Sequence, residues 1–267
     1  METLEVSRKE KHEVDERLRE MAVEFKFLLK KVGKELFERP YGLIVGDDPS
    51  GRLPALLMYE FLQRVYGKRN LPKPEILFFA GEKNLMDEEV EKRSSKISEH
   101  IDRAVKEAGL NNPNTLIVTE TVEYGLGLRP ITEGIARSGL THDLFSGTMF
   151  YADVPREREL SQAADSIQKI TKARKFFYGQ IGSSSVKWEY DLSGVIRDNK
   201  SAAKGENGKE DKEIFSVPTK EFARTPVDET KIQKSVDKSR EDIKILAEEL
   251  FGWYETWTER GWDDEEN

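Results

Sequence analysis

The chain has 267 residues, 37% hydrophobic and 35% charged, so a core is expected beneath an unusually charged surface. A formal net charge of −8 speaks against the broad basic face that drives sequence-independent nucleic-acid binding, and the absence of cysteine excludes disulfides, thiolate metal sites and a cysteine nucleophile. The stretch METLEVSRKEKHEVDERLRE has no apolar signal core, and no apolar run reaches the ~18 residues of a membrane span, so a soluble, cytoplasmic protein without membrane contact is expected.

In chain order, Val14, Leu18, Met21, Phe25, Leu28, Leu29, Val32 and Leu36 recur at spacings of three and four and predict a helix that ends near Arg39-Pro40. YGLIVG is a short apolar run bounded by glycine and reads as a buried strand. A helix follows from about Leu53 to Val65, stopped by Gly67 and the turn residues up to Pro74. EILFFAG is a second strand. EKNLMDEEVEKRSS is strongly polar and reads as a loop leading into a helix with Ile97, Ile101, Val105 and Ala108, closed by Gly109. NNPNTLIVTE gives a turn and a third strand, RPITEGIARSGL a short helix with Gly139 at its C-cap, and DLFSGTMFYAD a fourth strand. SQAADSIQKITKA is helical in pattern and KFFYGQIG is a fifth strand. The alternation predicts a parallel, Rossmann-like α/β sheet flanked by helices, whose ligands bind in loops at the carboxyl ends of the strands.

The expected organisation is an α/β domain over residues 1–197, a flexible polar segment over 198–213 (DNKSAAKGENGKEDKE), and a C-terminal helical extension over 214–267. In the extension Ile232, Val236, Ile243, Leu246, Leu250, Trp253 and Trp257 follow a helical period, giving a helix that packs on the body or on a second chain.

Two loops carry candidate chemistry. LIVGDDPSGRLPALL nearly spells a nucleotide P-loop, but Arg52 and Leu53 stand where lysine and a magnesium-ligating hydroxyl belong, and Pro54 lacks an N–H for phosphate. NTLIVTETVEYGLGLRPITEGIARSG runs from an apolar strand through an acidic, hydroxyl-bearing segment and Gly-x-Gly into a helix. This second stretch resembles the phosphoribosyl-pyrophosphate loop of type I phosphoribosyltransferases: Leu116, Ile117 and Val118 match the strand, Glu120 the second acidic position and Gly125 a turn glycine. The sequence differs from that family in carrying Thr119 at the first acidic position, Tyr124 at the usual threonine and Leu126 where a second glycine is common.

The resemblance extends to the first loop, where Ser50, Gly51 and Arg52 stand at the family's pyrophosphate-binding position, and to EKNLMDEEVEKRSS at the position of its mobile loop. It implies a phosphoribosyltransferase-type fold that binds phosphoribosyl pyrophosphate or a nucleotide with Mg²⁺ and transfers the phosphoribosyl group to a nitrogenous base. Glu120 and Arg52 are then the catalytic residues. Glu120 holds the ribose hydroxyls; Thr121, Gly125 and Gly127 serve the ribose phosphate; Ser50, Gly51 and Arg52 serve the pyrophosphate. Asp47 and Asp48 either meet magnesium-pyrophosphate or cap the turn. The alternative is a non-catalytic member of the same fold that senses a nucleotide or binds a protein through its C-terminal helix. A third option is a different parallel α/β enzyme acting on a phosphorylated small molecule.

Simpler roles stand beside other candidates. The serines at 183–185 read as a turn, Trp188 and Tyr190 as packing, and His12, His100 and His142 as scattered residues without metal spacing.

Overall fold

Asp15 starts the first helix by accepting a hydrogen bond from the N–H of Arg17 at 3.0 Å, and Gly33, at φ 52°, ends it. In the computed structural model, which describes residues 12–33, 35–48, 50–82, 85–122, 124–150, 157–182, 190–193, 195–196, 217–218 and 228–260, this is α1 (Glu16–Val32). The single long helix expected here is therefore broken, because the chain turns at Gly33 into a short α2 (Glu35–Glu38).

Five strands follow the apolar runs: β1 (Tyr41–Asp48), β2 (Glu75–Ala80), β3 (Asn114–Val122), β4 (His142–Phe150) and β5 (Phe176–Gly182). The helices between them are α3 (Arg52–Lys68), α4 (Asp87–Glu107), α5 (Arg129–Arg137) and α6 (Glu157–Thr171). The strands form one all-parallel sheet in the order β2-β1-β3-β4-β5. This is the predicted α/β architecture. The polar stretch read as a loop is largely helical: α4 begins at Asp87, where Glu89 accepts the N–H of Met86 at 2.9 Å and three acidic residues occupy the first turn.

Two apolar layers sandwich the sheet. On one face Ile44, Leu116, Val118 and Phe145 pack against α1, α3 and a 31-residue C-terminal helix; on the other Leu43, Val45, Ile117 and Leu144 pack against α4, α5 and α6. The short α7 (Tyr190–Ser193) and the two-stranded antiparallel ribbon of β6 (Val195–Ile196) and β7 (Val217–Pro218) follow β5 in the chain. The polar segment expected over 198–213, the serines at 183–185 and Trp188 lie outside the described residues, and of Tyr190 only the backbone is described.

The C-terminal helix, α8 (Glu229–Glu259), packs on the body: Ile243, Leu246, Ala247, Leu250 and Tyr254 join the core shared with α1 and α3. Asp242 is fully buried and fixes it to the N-terminal segment, accepting from His12 Nε2 at 2.5 Å and the Asp15 N–H at 3.0 Å; within α8 it also accepts from Lys238 Nζ at 3.0 Å. No helix among the described residues is long and apolar enough to cross a membrane.

Candidate functional site at the carboxyl edge of the sheet

In the order 2-1-3-4-5 the connections leave β1 and β3 in opposite directions, so this adjacent pair is the switch point of the sheet, the place outside whose carboxyl ends open α/β sheets characteristically bind ligands. The loops at 47–51 and 124–127 open from these strand ends, on one edge of the sheet. They are joined by a third loop after β2. The N–H of Gly81 donates to Asp47 Oδ1 at 3.1 Å, and a Cβ on Gly81 would meet the carbonyl oxygen of Gly127 and come within 2.6 Å of Asp47 Oδ1. Gly51 is equally confined: a Cβ there would stand 2.5 Å from the Asp47 nitrogen and 2.5 Å from the Val118 oxygen. Glycine at 51 and 81 is what lets three backbones meet at this edge.

The first loop is organised largely by its own side chains. Ser50 Oγ donates to the Asp47 carbonyl at 3.4 Å, and the Gly51 N–H donates to the same oxygen at 2.5 Å. Asp48 is 1% exposed and forms a two-pronged ion pair with Arg52, whose Nε donates to Oδ1 at 2.9 Å while Nη2 contacts Oδ2. The Arg52 guanidinium also lies 4.4 Å from the centre of the Phe78 ring. Asp47 thus shapes the turn, through its carbonyl and its carboxylate, and Asp48 holds Arg52. No group of three or more potential metal-ligating residues occurs among the described residues.

The second loop begins where β3 ends. Gly125 adopts φ 73°, open to glycine at little cost, and packs against α6, where a Cβ would come within 2.9 Å of Thr171 Cγ2. One 3₁₀ turn over Leu126–Leu128 leads directly into α5, with the Leu128 N–H donating to the Gly125 carbonyl at 3.1 Å. Tyr124 is 63% exposed and stands out into solvent; Leu126 is also exposed. The Tyr124 side chain therefore does not fill the turn. Thr121 is half-buried on β3, opposite Thr148 of β4. Arg129, at the start of α5, pairs with Glu133 at 2.9 Å and with Asp87 at 2.8 Å, tying the first turns of α4 and α5 together.

Glu120 lies below this edge, only 6% exposed, on the face covered by α1. Burial, followed by repulsion from Glu24 of α1, pushes its carboxyl up to about 9, so it is protonated at neutral pH. Glu24 is itself buried where α1 crosses the sheet at two glycines: a Cβ on Gly147 would stand 2.7 Å from Glu24 Oε2, and one on Gly179 2.6 Å from the Glu24 carbonyl oxygen. A protonated Glu120 can donate one hydrogen bond and accept others. Neither Glu24 nor Gly81 was singled out from sequence. Glu24 carried a signal, since it falls beside the apolar stripe of Met21, Phe25 and Leu28; Gly81, at the end of a strand run, carried none.

No protein-family model matches the sequence, and no curated protein matches it.

Proposed function

We propose that the chain is a phosphoribosyltransferase-like protein that binds phosphoribosyl pyrophosphate or a nucleotide in the β1/β3 crevice. The observation that carries the reading is the meeting of the glycine loops at 47–51, 81 and 125–127 at the switch point of a parallel sheet. Backbone N–H groups of the turn before α5 serve the ribose phosphate, with Thr121 beside them. Ser50, Gly51 and Arg52 serve the pyrophosphate, and Glu120, as a neutral acid, meets the ribose hydroxyls from below. In the transfer step a base nitrogen bonds to the anomeric carbon as the bond to the diphosphate oxygen breaks and pyrophosphate departs. The loops contribute by orienting the two reactants. Magnesium belongs to the substrate here, entering as the counter-ion of the diphosphate.

A second reading, a non-catalytic nucleotide-binding member of the same fold, is favoured by one observation: Arg52 is already paired with buried Asp48 and stacked on Phe78. Both readings are tested by calorimetric titration of the full chain with phosphoribosyl pyrophosphate and Mg²⁺, and with a nucleoside monophosphate. Wild type is compared with Ser50→Ala and Glu120→Gln, substitutions that leave the Asp48–Arg52 pair intact. Absence of binding to either ligand overturns the crevice as a phosphoribosyl site. Binding with pyrophosphate release in the presence of free bases supports transfer, whereas binding without release supports the second reading.

A further inference from the structure

A cavity of about 240 Å³ opens on the flank of the protein between α3, β2 and α8. Apolar side chains form one side of its wall, Leu53 and Leu56 of α3, Phe78 of β2, Val236 and Ile243 of α8 and Leu192 of α7, with Ser193 beside them. Four charged residues reach it from α3 and α8, and they divide into two sets. Arg52 is neutralised by Asp48, and Glu60 by Arg64, whose Nη1 lies 2.9 Å from Glu60 Oε2. Arg240 and Lys244, one turn apart on the exposed side of α8, make no ion pair with any described residue. The cavity therefore has a largely apolar wall and, at its mouth, two positive charges without an ion pair among the described residues, in a chain of formal net charge −8.

From this we infer a binding site for a small organic carboxylate with an apolar body. The volume sets the size: a cavity of about 150 Å³ lined by aliphatic and aromatic side chains holds a benzene ring, so this one takes a single ring or a short acyl chain plus its acid group. The apolar body lies against Leu56, Ile243 and Phe78. The carboxylate meets Arg240 and Lys244, and accepts two parallel hydrogen bonds from the guanidinium. Arg52 lines both this cavity and the β1/β3 crevice, but the two cations that meet the carboxylate, Arg240 and Lys244, lie on α8 and have no part in that site.

Phenylacetate and its neutral counterpart phenylacetamide, titrated calorimetrically into the full chain, test it. Phenylacetate binds wild type, and phenylacetamide binds at least tenfold more weakly. Arg240→Ala/Lys244→Ala weakens phenylacetate at least tenfold and leaves the amide unchanged. Leu56→Trp, which fills the cavity, removes both. No binding of phenylacetate to wild type overturns the inference, as does equal affinity for acid and amide, or phenylacetate binding unaffected by the double substitution. Should Leu56→Trp fail to fold, the pair of exposed substitutions on α8 carries the test alone. Neither result bears on whether phosphoribosyl pyrophosphate binds at the other site.

Discussion

Glu120 is where burial and chemistry meet most directly. Its carboxyl ordinarily titrates at 4.5 and is pushed up to about 9 here, so the folded chain keeps a proton that the unfolded chain releases. Its contribution to stability is fully present below about pH 4.5, falls as pH rises toward 9, and is level beyond. The slope from this one group reaches about 1.4 kcal/mol per pH unit. Glu120→Gln keeps the shape and removes the titration, so the variant is expected to gain on wild type steadily between pH 5 and 9 in urea melts; parallel curves would refute the protonated state. Arg52 obeys the opposite logic. Arg52→Ala strands the buried Asp48 carboxylate and is expected to cost about 3 kcal/mol, part of which Asp48→Asn restores in the double variant. Denaturant midpoints of the two single variants and the double give the coupling. The sequence located the first loop correctly as a strand-end turn, but the partners of its side chains were not legible. Arg52 is four residues from Asp48 along the chain, yet its choice of that carboxylate and of the Phe78 ring depends on how β2 lies beside β1.

Element by element, the apolar runs and helical spacings were enough to find all five strands of the sheet and the helices between them. Burial on both faces makes such strands continuous in apolar character. The start of α4 was hidden because its first two turns are nearly all polar, and only Val90 among them is a large buried apolar residue; a cap and an acidic first turn form the helix there. The long C-terminal helix was legible from its period, whereas its surface was not, since the same stripe serves a partner or the body equally well. In the structure that stripe enters the common core with α1 and α3, and Asp242 binds the helix to residues 12–15 through two hydrogen bonds, from His12 and from the Asp15 N–H. Leu246 is 1% exposed in that seam. Leu246→Ala is expected to cost about 3 kcal/mol by transfer and cavity terms together, lowering the midpoint of a single transition that includes the α/β body. A separate early transition of α8, with the body's midpoint unmoved, would show instead that the helix is an appendage.

At the scale of the whole molecule, the two ends of the sheet are built differently. The amino end is closed by a polar network: Tyr41 donates its hydroxyl to Asp143 at 2.7 Å, Arg174 reaches Asp143 at 2.6 Å and 3.0 Å, and Arg174 also contacts Asn114 at 3.3 Å. Burial beside this carboxylate drives the Tyr41 hydroxyl far above its ordinary range, so it stays a donor throughout. The carboxyl end has glycines at the corresponding junctions, with loops in contact through backbone atoms. Parallel α/β sheets characteristically divide stability and ligand binding between their ends in this way. The division can be measured with two substitutions. Asp143→Asn removes the charge that Arg174 pairs with and is expected to lower the melting temperature while leaving the proposed binding of phosphoribosyl pyrophosphate unchanged. Gly81→Ala forces the loops of β1 and β3 apart, because its methyl group would meet the Gly127 carbonyl and the Asp47 carboxylate. Its effect is expected chiefly on ligand affinity, weakened by at least tenfold, measured well below the melting temperature of both variants. The reverse pattern, with affinity sensitive to Asp143 and indifferent to Gly81, would move the binding site away from the carboxyl edge altogether.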